Sequence, residues 1–242
     1  MPSRPALLAV VLAALCGLGP AQAQTQTQTQ TASTLAYQAA NAAMHAAMGI
    51  AYTGDADVDF AAGMIPHHQG AIDMAQVELQ FGTDPQLRAM AQVIMASQGH
   101  EIVHMASWLA RNAPATATPT PVPAAADHAA HAPGAAPAAG PMPDMPGMNH
   151  GAAPAGDQGP SSQAYAAANA RMHGAMDVAF TDNADIDFAR GMIPHHQGAI
   201  DMAEVEVTYG DDPGMVGLAQ TIVTGQGAEI RILQDWLAAH GG

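Results

Sequence analysis

The 242-residue chain carries 21 acidic residues against six basic ones, all of them arginine, for a formal net charge of −15. A chain of that sign repels nucleic acid and anionic lipid and favours cations, although acidity also serves plain solubility. Its single cysteine, Cys16, falls in a segment that reads as an export signal, so the processed chain has no disulfide, thiolate nucleophile or thiolate ligand, and any soft metal ligand has to be methionine.

Residues 1–23 read as that signal. Arg4 gives a positive start, Ala6 to Leu18 an apolar run short for a bilayer span, and Ala21-Gln22-Ala23 a small-x-small cleavage site. A lipoprotein would need lipidation of Cys16, and Leu15 is a poor residue to precede a lipidated cysteine. The expected location is periplasmic or secreted, with no membrane attachment after cleavage. Residues 24–34 form a Gln/Thr tract expected to be disordered.

From there the chain repeats itself. A shift of 128 residues aligns Tyr37 with Tyr165 and Trp108 with Trp236 without a gap, and the block GMIPHHQGAIDMA from Gly63 to Ala75 recurs unchanged from Gly191 to Ala203. The reading is therefore two helical repeats, residues 35–111 and 161–240, joined by an Ala/Pro-rich linker over residues 112–160 that lacks an apolar period and is expected to stay flexible. Each repeat is near the lower size limit for an independent core.

Three helices per repeat are expected. The first spans about Thr34 to Tyr52, with Tyr37, Asn41, Met44 and Met48 on one face. The second spans about Asp57 to Phe81, with Gly82 as its stop. The third starts at Asp84 as N-cap with Pro85 in the first helical position and runs to about Arg111; Asp212-Pro213 marks the same start in the second copy. No strand signal is present, so the class is all-α, two small bundles of about three helices each.

On the second helix, Phe60, Met64, His67, Ala71, Met74 and Glu78 make one stripe, while Ile65, His68, Ile72 and Leu79 make the adjacent one. The two histidines therefore diverge by about 100°. Gly63 and Gly70 offer a small face for another helix, and Pro66 inside the helix is expected to kink it ahead of the His pair. The first helix adds Met44, His45 and Met48, repeated as Met172, His173 and Met176. Thioether is a soft donor and imidazole a borderline one, so such clusters suit Cu(I), with Cu(II) open where carboxylate joins histidine. A buried methionine alone is equally at home in a core.

The third helix points two polar residues inward, Gln98 and Glu101, which recur as Gln226 and Glu229. A carboxylate facing a bundle interior needs a partner; His67 or His68 is the obvious one, with Glu101 orienting the imidazole or ligating directly. Met90, Met95, His100, His104 and Met105 become Leu218, Val223, Ala228, Ile232 and Leu233, so the first-copy residues read as packing or auxiliary ligands. In the linker, His128, His131, Met142, Met145, Met148 and His150 have no core to fill and are candidate ligands for Cu(I).

The run Met64-Ile65-Pro66-His67-His68-Gln69-Gly70-Ala71-Ile72-Asp73-Met74-Ala75, its copy from Met192, and the upstream Asp59-Phe60 resemble the signature of domain-of-unknown-function family 305. The resemblance implies a ferritin-like helical bundle, an exported setting and a part in copper binding and resistance. It also implies metal-site roles for Met64, His67, His68 and Met74, and for Met192, His195, His196 and Met202.

The expected function is thus a non-catalytic copper protein that sequesters the ion or hands it to other periplasmic copper-handling proteins, in copper tolerance or homeostasis. A ferritin-like di-metal oxidase is the first alternative; it needs an ExxH from each of two helices, and only Glu101-x-x-His104 fits, with Ile232 at the equivalent position of the second copy. A structural or interaction module is the other. No Ser or Cys nucleophile stands in a recognisable setting.

Overall fold

The computed structural model describes residues 30–113 and 156–241. The segment read as an export signal, most of the Gln/Thr tract and most of the linker, including His128, His131, Met142, Met145, Met148 and His150, lie outside them. The described residues form six helices and no strand: α1 Ala32–Ala47, α2 Ala56–Phe81, α3 Pro85–Asn112, α4 Pro160–Ala175, α5 Ala184–Tyr209 and α6 Pro213–His240.

Local chemistry fixes most boundaries. The side chains of Thr31, Asp55, Asp84, Asn183 and Asp212 each accept an amide from the first turn of α1, α2, α3, α5 and α6, satisfying donors that the helix cannot. Pro85 and Pro213 follow Asp84 and Asp212 as expected. α2 passes through Pro66 as one helix. The end of α1 differs from the sequence reading: the helix stops at Ala47, not near Tyr52, with the Met48 amide bonded to the Met44 carbonyl. The chain is then captured by Asp59, whose carboxylate accepts the Thr53 amide and hydroxyl at 2.7 and 2.8 Å and the Gly54 amide at 3.1 Å. Gly54 takes φ +89°, a left-handed turn suited to glycine.

α2 is buried along nearly its whole length because α1, α3 and α5 pack on three sides of it; α5 is enclosed likewise by α4, α6 and α2. The two halves therefore meet through their central helices. These run antiparallel: a Cβ added at Gly63 would lie 3.0 Å from Met202 Cε, and one at Gly191 would lie 2.8 Å from Met74 Cε, so the early part of each helix faces the late part of the other. The small face foreseen on α2 serves two neighbours, since Gly70 receives Met44 of α1, whose Sδ and Cβ would stand 2.6 and 2.9 Å from an added Cβ.

Reciprocal clasps tie the halves together. Tyr37 donates to the Ala184 carbonyl at 3.2 Å and Tyr165 to the Ala56 carbonyl at 3.2 Å, each hydroxyl reaching the start of the opposite central helix. Asp185 accepts the amides of Thr83 and Asp84, and Asp57 those of Asp211 and Asp212. Behind them lie fully buried Glu78 and Glu206. Burial and then the neighbouring Asp185 push the Glu78 carboxyl up to about 8; burial and then Asp57 push Glu206 up to about 9. Burial works against ionisation of Asp185 too, but the Asp84 and Thr83 amides and the Glu78 proton outweigh it and hold that carboxyl below the usual range. Gly82 ends α2 with extended backbone, and its missing side chain has a specific use: any Cβ there would overlap the Glu78 carboxyl, as one at Gly210 would overlap Glu206.

Two outcomes follow for stability. Gly70→Val forces α1 off α2 and is expected to cost about 1–3 kcal/mol by thermal denaturation, whereas Gly99→Ala, where an added Cβ meets nothing, should gain up to about 1 kcal/mol of helix propensity. Because the folded carboxyls of Glu78 and Glu206 titrate above their ordinary value of 4.5, the folded chain holds extra protons between that value and about 8 to 9. Their contribution is complete below 4.5 and declines as pH rises through that window. Melting temperature should fall from pH 6.5 to 9.5, and Glu78→Gln/Glu206→Gln should flatten the slope.

Candidate metal centre

The antiparallel crossing places the two conserved-in-both-copies His pairs at the middle of the molecule. His67 and His195 are fully buried, with ring centroids 4.0 Å apart, one from each half. His45 and His173, at the ends of α1 and α4, form a second inter-half pair with centroids 4.2 Å apart. The sequence reading places one converging cluster inside each half. The structure instead brings imidazoles together between the halves, because the stripe that carries His67 is the face α2 presents to α5.

His68, about 100° further round α2, faces α3 instead. Its Nε2 lies 2.6 Å from Glu101 Oε2, so the inward carboxylate found its partner. His196 Nε2 and Glu229 Oε2 approach to 2.8 Å in the second copy, with poorer hydrogen-bond alignment. Gln98 and Gln226 are buried one turn away, and neither amide has a protein partner.

Methionines pack on the glycines within one turn of each central histidine. Met44 lies on Gly70, three residues after His67, and Met202 reaches Gly63, four residues before it. Around His195 the same places are taken by Met172 on Gly198 and Met74 on Gly191. Within one turn of each central histidine, the helix thus receives one methionine from its own half and one from the other. Met64 and Met192 are buried one turn ahead of the histidines on the same stripe, and Met48 and Met176, the residues just past α1 and α4, are buried in the same core.

The electrostatics favour neutral imidazole. Burial first, and then the neighbouring histidines, hold both His67 and His195 well below the ordinary histidine value. Neutral imidazole is the form that ligates metals. His195 Nε2 has the His67 carbonyl at 3.1 Å, but His195 Nδ1 has no hydrogen-bond partner and His67 has no well-aligned one at either ring nitrogen, its nearest polar neighbour being the His195 backbone. Leaving such groups unsatisfied costs about 1–3 kcal/mol each. Among the described residues no three His, Cys, Asp or Glu side chains stand close enough together to hold one ion. A metal here would take a pair of imidazoles and complete its shell with thioether sulfur, a donor set for a soft, low-coordinate cation.

Sequence reasoning missed the partnership of His67 with His195 and of His45 with His173. The exact repetition of the block was the one available signal, since a duplicated helix with a small-residue face is a candidate to pack on its own copy. It also gave Glu78 no role, although that residue sits on the same stripe. Of the residues read as packing or auxiliary, Met90 and Met105 are core, whereas His100 and His104 are exposed.

The family model described as "Domain of unknown function (DUF305)" matches residues 16–109 and 57–237. No curated protein matches the chain. Solved structures that match include CopM in the Cu(I)-bound form, 28% identical over 79% of this chain and 99% of that one, with a TM-score of 0.49. CopM in the Ag-bound form obtained by soaking is 29% identical over 77% and 98%, with a TM-score of 0.48. CopM in the Cu(II)-bound form is 29% identical over 78% and 99%, with a TM-score of 0.49. With superpositions of that extent, the chemistry of the centre rests on its own residues.

Removing the carboxylate from one side of the centre tests its internal support. Glu101→Ala leaves a buried His68 with no bonded ring nitrogen and should cost about 1–3 kcal/mol in urea denaturation; Glu229→Ala, with the less aligned contact, should cost less.

Proposed function

We propose, from the premise that the chain belongs to the DUF305 family, that it is an exported copper-binding protein that sequesters or hands over Cu(I) at a Met/His centre between its two halves. His67 and His195 supply nitrogen, and Met44, Met74, Met172 and Met202 supply sulfur. His68 and His196, each steered by a glutamate, and the His45/His173 pair stand next in line as ligands. The observation that carries this reading is the fully buried, neutral imidazole pair of His67 and His195, ring centroids 4.0 Å apart, in which His67 makes no well-aligned hydrogen bond at either ring nitrogen. A core that wanted only packing gains nothing from such a group, since an apolar residue of similar volume avoids the desolvation cost.

The net negative charge attracts cations, and the Met and His residues of the linker raise the local ligand concentration for loading and release. Transfer to other exported copper-handling proteins fits weak neutral ligands, which let go of the ion without having to take up a proton. The reading is of a binding protein, not an enzyme. A di-metal oxidase needs Glu101 and His104 to converge on one centre, and Glu101 turns to buried His68 while His104 stands exposed.

The discriminating experiment separates ligand from core. In the full processed chain, His67→Leu/His195→Leu should keep or raise the melting temperature while weakening Cu(I) binding about tenfold to a hundredfold, measured anaerobically against a chromogenic Cu(I) chelator, with Zn(II) and Fe(II) failing to compete. Loss of stability with Cu(I) affinity unchanged would assign the pair to structure and overturn the proposal.

A further inference from the structure

A second pair of imidazoles lies on α3, outside the buried centre. His100 and His104 are four residues apart on an unbroken helix and both are exposed. Side chains at that spacing stand one above the other, with about 5–6 Å between Cβ atoms, a span that two imidazoles close around one ion. Packing asks for neither residue: their counterparts Ala228 and Ile232 are exposed as well, Ile232 at 41%. The pair is therefore a property of the first copy alone.

We infer that His100 and His104 form a surface site for Cu(II), the two imidazoles holding the ion and water completing its shell. The choice of ion follows from the donors. Borderline nitrogen ligands in water suit Cu(II), which heads the divalent affinity order and accepts a tetragonal shell, whereas Cu(I) wants sulfur. The nearest thioether on α3, Met105, is fully buried and turned to the core. Near His104 stands Asp212, the N-cap of α6; the Met215 amide above all, then the neighbouring Trp108 and Gly214, and His104 itself hold its carboxyl below the usual range, so a negative charge from the other half lies beside this end of the pair. No trio of ligands is assembled there, and the carboxylate acts through its field, not as a bond to the ion. The inference stands apart from the buried centre and does not need it to hold copper.

Trp108, one turn beyond His104, provides the readout, since paramagnetic Cu(II) quenches a nearby indole. The chain has two tryptophans, so Trp236→Phe leaves Trp108 as the reporter. In the full processed chain, aerobic titration with copper(II) sulfate should quench Trp108 within the first equivalent. His100→Ala or His104→Ala should shift that titration about tenfold or more to higher copper, with the far-UV spectrum unchanged, while His67→Leu/His195→Leu leaves it in place. Equilibrium dialysis gives an independent count: Ala228→His/Ile232→His should add one Cu(II) per chain, and His100→Ala/His104→Ala should remove one. Quenching and Cu(II) count unaffected by the α3 substitutions, or quenching lost with His128→Ala/His131→Ala in the linker instead, would overturn the inference.

Discussion

The antiparallel crossing of α2 and α5 governs the rest of the molecule. Glycines at 63 and 191 let the two helices approach until a methionine of one half rests on the backbone of the other, and the same approach brings His67 against His195 with both rings fully buried. Small residues on one helix face and a polar group at its centre are opposing demands. The first favours close packing, and the second makes close packing costly unless something binds the polar group.

The cost is carried by features repeated on either side of the crossing. Tyrosine hydroxyls and aspartates from each half satisfy the helix starts and turns of the other, and each clasp includes a glutamate whose proton is retained by burial. Repeats of this size are near the lower limit for a core of their own; pairing through the central helices gives both halves a shared core. The buried imidazoles thus sit where the two repeats hold one another, so an ion bound there would bridge halves rather than decorate one of them.

Much of this was legible in the chain. Asp84-Pro85 and Asp212-Pro213 announce helix starts by chemistry that needs no tertiary context, and the stripe through Met64, His67 and Met74 marks a buried face. Glu101 could be matched to the His pair because an inward carboxylate must have a partner, and divergence of neighbouring residues on a helix separated His67 from His68. What was not legible depends on distant parts of the chain. α1 stops early because Asp59 captures the following loop, and Gly82 is required by the Glu78 carboxyl rather than by a left-handed cap. Nothing within one repeat says that its His67 meets the other repeat's His195, and only exposure separates His100 and His104 from the core residues around them.

The divergence between copies has a chemical pattern. Residues at the crossing are unchanged, while the outer helix has kept imidazoles on α3 and apolar or small residues on α6. The account stands on a single ion engaging both halves through the central pair, and histidine-selective nitrogen-15 magnetic resonance observes that pair directly. On anaerobic addition of Cu(I) to the full chain, the ring nitrogens of His67 and His195 should move together and finish moving at one equivalent. Central resonances that stay fixed while those of His128, His131 and His150 shift would contradict it.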